Sequence, residues 1–110
     1  MSVVVMNRNI LDETCTLFKK GAEEYRTVNW TREVFPCHWE QRTGSYRTPD
    51  GEDSAYSLEM ICTHPGIAKG DKLVRGIESA SKPPQGAYTV VYVDALPLHG
   101  KTHHYEVYAK

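Results

Sequence analysis

The stretch GIAKGDKLVRG, from Gly66 to Gly76, decides between two interpretations of the whole chain. Its glycines and Lys72 are compatible with a loop that binds phosphate. Its short aliphatic run before Gly76 is instead typical of a strand held between two turns. The first interpretation leads to a nucleotide-binding enzyme, and the second leads to a structural β domain.

A phosphate-binding loop needs the pattern G-x-x-x-x-G-K-[ST] between a strand and a helix. Here Gly66 and Gly70 are one residue too close together, Asp71 separates Gly70 from Lys72, and Leu73 replaces the required hydroxyl. The Asp71 carboxylate would also repel phosphate. We therefore predict a turn at Gly70-Asp71 and a short strand that ends at Gly76, and we expect Lys69, Lys72 and Arg75 to be surface charges.

Outward from this stretch, most apolar residues follow period two, which is typical of half-buried strands. The segment AYSLEMIC (55–62) predicts a face made of Tyr56, Leu58, Met60 and Cys62. The segments AYTVVYVDAL (87–96) and HHYEVYAK (103–110) also read as strands. We predict a mainly β fold, a small antiparallel β-barrel or sandwich of about six strands with long loops.

Three segments leave the prediction open. Residues 10–26 offer a rival helical interpretation, and the pattern of TCTLFKK (14–20) does not decide which face is buried. Pro36 lacks a backbone N–H and predicts an edge strand or a bulge. The polar segment from Gln41 to Asp53 reads as a long mobile loop or as a hairpin tip around Pro49-Asp50-Gly51.

Length and composition favour one folded domain. The chain has 110 residues, 40% apolar residues and a formal net charge of −1. We predict a single β-barrel domain over residues 1–110, with residues 1–13 as a flexible or loosely docked arm. The short apolar run near the start fits neither a signal peptide nor a membrane span, so we expect a cytoplasmic chain with reduced cysteines and no membrane partner.

No arrangement of residues predicts catalysis, a cofactor or a metal. His99, His103 and His104 lie close in sequence, and with His38, Cys37 or Cys62 they have the residue types of a zinc site. However, neighbouring residues of a strand point to opposite faces, and the spacing matches no zinc motif. Aromatic strands allow one alternative, a small barrel that binds single-stranded nucleic acid or another ligand. Because the net charge is slightly acidic, nucleic acid is not the default partner.

The order of segments carries a further indication. Six segments follow one another over about residues 14–110. They are CTLFKK, WTREVFPCHWE, a long polar loop, IAKGDKLVRG, AYTVVYVDAL and finally HHYEVYAK. This succession resembles the small head-to-tail connector proteins encoded among the minor-capsid genes of tailed phages and prophages. In that family an early "TL(Y/F)-x-K" strand precedes a Trp-containing strand, and a "G-D-x-hydrophobic-V-x-G" segment lies in the middle.

The resemblance implies a head-closure, or stopper-like, protein. Such a protein is a non-enzymatic subunit of a ring below the portal that retains packaged DNA. It contacts portal or adaptor and tail proteins and meets the DNA only indirectly. It would form a ring homo-oligomer in the particle, with a monomer until the portal provides a template as the alternative for the isolated subunit, and would reside in the virion or, during assembly, in the host cytoplasm. The family implies no role for the segment LHGKTHH.

The resemblance also suggests a contact loop. A loop of related stoppers closes the channel, and its candidate counterpart here runs from Gln41 to Asp53, with an ordinary surface loop as the alternative. Its most contact-capable residues are Arg42, Tyr46, Arg47 and Asp50. Four further residues are predicted to form structural turns: Gly70, Asp71, Gly76 and Gly100.

Overall fold

The computed structural model describes residues 11–98 and 101–110, with the backbone only for residues 98 and 101–103. Every regular element in this part of the chain is a β-strand. The strands are β1 (Glu13–Glu24), β2 (Thr27–Arg47), β3 (Asp53–Cys62), β4 (Lys72–Arg75), β5 (Tyr88–Leu98) and β6 (Lys101–Ala109). Residues 1–10 of the predicted N-terminal arm, and also His99 and Gly100, lie outside the described residues.

The six strands close on themselves. All neighbours are antiparallel, in the order β1-β2-β3-β6-β5-β4, and β4 returns to pair with β1. The mainly β fold is therefore confirmed, with the strands arranged in a closed ring. The helical interpretation of residues 10–26 is wrong, because β1 forms a hairpin with β2 through Tyr25 and Arg26, whose φ angles of 50° and 64° are those of a tight turn between twisted strands.

The interior of the ring is the hydrophobic core. The predicted face of AYSLEMIC is confirmed for Leu58, Met60 and Cys62, which are fully buried. Tyr56 is the exception: β6 pairs with β3 only from Leu58 onward, so Tyr56 lies beyond the closed part of the ring. Other strands contribute the remaining core residues, which are Cys15, Leu17, Phe35, Cys37, Trp39, Leu73, Val90, Val107 and Ala109, and Ile67 comes from the loop before β4.

Strand β1 is buried on both faces, which explains why its sequence pattern was ambiguous. Leu17 lies in the core, and Phe18 on the opposite face is equally inaccessible to solvent. On that outward face the Thr16 hydroxyl donates to the carbonyl of Gly76 at 2.8 Å and accepts from the N–H of Glu78 at 2.9 Å. The connection between β4 and β5 therefore begins by crossing over β1.

Pro36 lies in β2, where the strand changes partners. It is opposite Thr14 of β1, and pairing of β2 with β3 starts only at His38. A residue without an N–H is tolerated where one side of the strand has no ladder to join. The edge-strand prediction is thus correct locally, within a strand that is otherwise paired along its length.

Candidate functional site

The stretch that decided the fold forms a turn, a short strand and a second turn. Gly70 and Gly76 have φ angles of 97° and 83°, a conformation that favours glycine, and β4 lies between them. Leu73 points into the core, whereas Val74 on the other face is partly exposed. Lys69 and Arg75 are exposed, and Lys72 is half-buried with its ammonium 2.5 Å from the hydroxyl of Thr89.

Asp71 is the centre of this turn. Its side chain is 97% buried, and one carboxylate oxygen accepts from the N–H of Lys20 at 3.0 Å. The other accepts from the N–H of Ala68 at 2.9 Å and lies 3.3 Å from the ammonium of Lys19. The N–H of Ala68 is thus bound to a carboxylate of the chain itself, and the N–H groups of Gly70 and Asp71 donate to the carbonyls of Val90 and Ala68. The turn therefore does not present these N–H groups to a phosphate.

The segment after Cys62 closes one end of the barrel. Ile67 enters the core from this loop, and the Lys19 ammonium also donates to the carbonyl of Gly66. The imidazole of His64 stacks on Phe35, with ring centroids 4.2 Å apart, and forms a hydrogen bond with the Glu33 carboxylate. The loop is thus held by several contacts and covers this end of the hydrophobic core.

The segment from Gln41 to Asp53 is mostly strand. Prediction of a long mobile loop is wrong, because β2 continues to Arg47 and β3 starts at Asp53. The hairpin-tip alternative is confirmed: Thr48 N–H donates to the carbonyl of Glu52 at 2.7 Å, and Gly51 N–H donates to the carbonyl of Thr48 at 2.9 Å. We call residues 42–56 the β2–β3 arm and residues 48–52 its tip.

The four predicted contact residues all lie on the arm, but they do not converge on one site. The Arg42 guanidinium is 3.6 Å from the Glu59 carboxylate, and that of Arg47 is 3.5 Å from Asp53. Asp50 is at the exposed tip, where a hydrogen bond from the Thr48 hydroxyl lowers its pKa. Arg47 and Asp50 remain open to solvent, whereas Tyr46 is half-buried.

Tyr46 belongs to a cluster of four tyrosines from four strands. Its ring stacks on Tyr92 of β5 with centroids 4.7 Å apart, and its hydroxyl donates to the carbonyl of Val91 at 3.0 Å. Tyr56 meets Tyr108 of β6 edge-on at 4.9 Å. Tyr108 lies between two residues that point into the core, so its ring is on the outer side of the sheet. The arm therefore bends over the outside of β6 and β5.

Gly44 makes this bend possible. A Cβ at this position would be 2.3 Å from the Tyr56 hydroxyl and 2.5 Å from the ring carbon that carries it. The tyrosine ring thus lies directly on the glycine backbone. Sequence reasoning missed the cluster because the four tyrosines are far apart in the chain and only the strand register brings them together. The Gly44-x-Tyr46 spacing was the only local signal.

Carboxylates accumulate on the same outer surface. Burial raises the pKa of Glu59, an effect that Arg42 opposes and that the neighbouring Glu106 reinforces. Burial also raises the pKa of Tyr108 well above its ordinary value, and its hydrogen bond to Glu106, 2.8 Å long, raises it further. Both groups are therefore held in their protonated forms more strongly than in water.

The three cysteines are free thiols inside the barrel. A hydrogen bond with Cys37 and burial raise the pKa of Cys15 far above its usual range, and burial raises the pKa of Cys62 to about 11. A thiol held protonated is a poor nucleophile and a poor metal ligand. Within residues 11–98 and 101–110, no three histidine, cysteine or acidic side chains are placed to hold a metal ion.

His38 and His104, the candidate zinc ligands that the structure describes with their side chains, lie apart from each other. His38 lies 3.5 Å from the Asp12 carboxylate, and His104 is buried in β6. His99 and the side chain of His103 lie outside the described residues. The structure therefore does not bring His38 and His104 into a common centre with the cysteines.

One open cleft of about 300 Å³ lies beside the start of β5. Trp39 and Tyr88 form its aromatic side, with ring centroids 5.6 Å apart, and the Gln41 amide donates to the Tyr88 hydroxyl at 2.5 Å. Arg75 and the Pro84–Ala87 segment complete the rim. An aromatic wall with a few polar groups is the usual composition of a small-ligand site.

Comparison with known proteins yields no match: no family model, no curated protein and no solved structure is significantly similar to the chain. In the part of the chain that the structure describes, no helix is long and apolar enough to cross a membrane.

Proposed function

We propose that this chain is a non-enzymatic structural protein of a tailed phage or prophage particle, a head-closure or connector subunit that assembles as a ring below the portal. The order of its strand segments, which resembles that of connector proteins, motivates the proposal. The observation that carries it furthest is the β2–β3 arm, which extends β2 to 21 residues and has an exposed tip beyond the closed part of the ring.

An element that closes a channel has to project from a rigid base. The tyrosine cluster and the Tyr46 hydrogen bond fix the base of the arm to β5 and β6, whereas residues 49–53 at the tip are exposed. Arg47 and Asp50 at this end are available to a neighbouring molecule. The near-neutral charge of the chain suits a channel through which DNA must slide, because many phosphate contacts would hold the DNA.

The experiment starts from the phage or prophage-bearing strain that encodes the chain. Genes for a portal and a major capsid protein beside this gene are expected, and a neighbourhood of metabolic genes would count against the proposal. Deletion of the gene should give heads that fail to join tails and that lose their DNA, seen by electron microscopy. Restoration by a plasmid copy is the control, and infectious particles without the protein would refute the proposal.

The cleft beside Trp39 favours a second candidate, a small barrel that binds single-stranded nucleic acid or another ligand. Trp39 and Tyr88 offer aromatic surface, and Arg75 at the rim would lie near a phosphate, although its guanidinium already donates to Glu13 at 2.7 Å. A gel shift with single-stranded DNA at low salt is the test. Binding that weakens with salt and is lost in Tyr88→Ala would support it, and no shift at low salt would exclude nucleic acid.

A further inference from the structure

The outer surface of the barrel is divided into two faces of opposite charge. The basic face is the outward side of β4, β1 and the first half of β2, together with residues 76–80 of the connection that crosses over β1 there. The acidic face is the outward side of the second half of β2, β3, β6 and β5. Strand alternation and register assign the charged residues that define each face. They are Lys20, Arg32 and Lys72 on the basic face, and Glu40, Glu59, Asp94 and Glu106 on the acidic face.

The carboxylates of the acidic face lie directly opposite one another. Glu40 is the cross-strand partner of Glu59, and Asp94 is the partner of Glu106. Like charges in opposite positions of a sheet destabilise it. The Arg42 guanidinium lies 3.6 Å from the Glu59 carboxylate and offsets part of this charge. The face also holds half-buried Ile61 between its carboxylates. The fold thus retains a repulsion that a cationic partner would relieve.

The basic face has the complementary composition. Arg32 and Lys72 flank Phe18 in one cross-strand row, and Lys20 follows two residues later on β1. Arg32 donates to the carbonyls of Ser79 and Ala80, which carry no net charge. Among the described residues, none of the three cations has a carboxylate within 4 Å. The one acidic residue of the connection from Gly76 to Ala80, Glu78, accepts instead from the N–H of Ala80 at 3.1 Å, so the three cations outnumber it on this face.

Two apolar side chains are exposed at the basic face. Val34, next to Arg32 on the outward side of β2, is 46% exposed. Ile77, which follows the Gly76 that binds Thr16, is 78% exposed. An apolar centre surrounded by charged residues is the usual composition of a specific protein interface. The face is thus equipped for contact with another surface.

The two faces are on opposite sides of the ring. In the cyclic order β1-β2-β3-β6-β5-β4, strand β6 lies three steps from β1 in either direction. When the basic face of one copy contacts the acidic face of the next, the pair still has one free acidic face and one free basic face. Such a head-to-tail contact repeats, and it produces a closed ring or an open filament according to the rotation between copies.

We infer that the acidic face docks on the basic face of a second copy of this chain, with Glu40 and Asp94 opposite Lys20 and Lys72 around the apolar contacts of Ile61 and Val34. The inference rests on the proposed function for its setting, because it identifies the subunit contact of the proposed ring. The partner surface follows from charge complementarity, since carboxylates predominate on one face and cations on the other.

Charge reversal of either face tests the contact. The full chain is studied by sedimentation velocity from micromolar to millimolar concentration, at low and at high salt. The wild-type protein is expected to associate at low salt and to dissociate at high salt. The double variants Lys20→Glu with Lys72→Glu and Glu40→Lys with Asp94→Lys should each weaken association about tenfold or more at low salt.

Mixing the two variants is the decisive step. In the mixture each reversed face finds a complementary face on the other variant, so association should return, although neither variant associates alone. Matched controls carry the same change in charge elsewhere: Arg26→Glu with Lys69→Glu, and Glu23→Lys with Glu24→Lys. Both controls should associate as the wild-type protein does. Restoration on mixing also shows that the variants are folded.

Three results would overturn the inference: a wild-type protein that stays monomeric at millimolar concentration and low salt, association that is indifferent to salt and to reversal of either face, or variants that do not recover on mixing. Such a result would leave the proposed function standing if deletion of the gene still gave leaking heads. Conversely, if the purified chain associates as expected but deletion of the gene leaves normal particles, the proposed function is refuted and the contact between copies stands.

Discussion

The turn at Asp71 and the tip of the β2–β3 arm are both short polar connections between strands, and they use their side chains in opposite ways. The Asp71 carboxylate is 97% buried and holds the N–H groups of two segments. At the arm, the Arg47–Asp53 pair has side chains that are 73% and 71% exposed. A turn whose charge is buried is therefore part of the architecture, whereas solvent-exposed charge leaves the arm tip available for contact.

The largest expected effect is at Asp71. Asp71→Ala should lower the free energy of unfolding by about 3 kcal/mol, because it leaves buried N–H groups of Lys20 and Ala68 without acceptors and the Lys19 ammonium without its carboxylate. Urea unfolding followed by tryptophan fluorescence measures this. Asp53→Ala is the matched control and should cost less than about 0.5 kcal/mol. Equal losses in the two variants would remove the distinction between the two regions.

A second effect concerns the buried thiol of Cys62. Its pKa is raised from 9.0 to about 11 in the folded protein, so the unfolded chain loses the proton first as pH rises. Stability is therefore retained below pH 9 and falls between about pH 9 and 11, by roughly 2 to 3 kcal/mol.

Urea unfolding at a series of pH values measures this slope. Cys62→Ala should be less stable at neutral pH because a cavity forms, but its stability should fall less steeply above pH 9. A slope that is identical in the two proteins would contradict the assignment, and any slope that remains in the variant is expected from Cys15 and Tyr108, whose pKa values are also raised.

The base of the arm is tested at Gly44. Gly44→Ala should cost about 1 to 3 kcal/mol, since the new methyl group would displace the Tyr56 ring from the cluster. Hydrogen exchange should increase within residues 44–56 and change little at Asp71. In a protein that already carries Tyr56→Ala, adding Gly44→Ala should cost no further free energy of unfolding from this contact, because the clash is removed. If Gly44→Ala is as stable as the wild-type protein, the arm is not fastened at this point.

The smallest effect is expected at Arg47. Arg47→Ala removes an exposed ion pair and should change the free energy of unfolding by less than about 0.5 kcal/mol. Urea unfolding gives the value, and Asp53→Ala should match it. A loss above about 1 kcal/mol would show that the tip is a structural element as well.

Sequence reasoning predicted the fold where a pattern is local. Alternation placed Leu58, Met60 and Cys62 inside, and the wrong spacing of Gly66 and Gly70 excluded a phosphate loop. It failed at β1 because burial of Phe18 depends on a connection about 60 residues away in the chain, as the Thr16–Gly76 hydrogen bond illustrates.

Prediction from the sequence was limited in the same way for the β2–β3 arm. Arg42, Tyr46, Arg47 and Asp50 were named for their chemistry in a loop, but their separate contacts follow from the register of β2 on β3 and from the bend at Gly44. Cross-strand register is a property of the assembled sheet, and a single sequence does not encode it locally. For the same reason the opposite charges of the two faces became visible only once strand order was known.

The most direct measurement replaces the arm tip in the particle. Residues 48–52 are exchanged for Asn-Gly, a two-residue turn that suits a hairpin, in the phage or prophage that encodes the chain. The account predicts that the protein folds and enters particles, as shown by mass spectrometry, and that the heads lose their DNA and infectivity falls by orders of magnitude. Particles that contain the altered protein, retain their DNA and infect normally would contradict it.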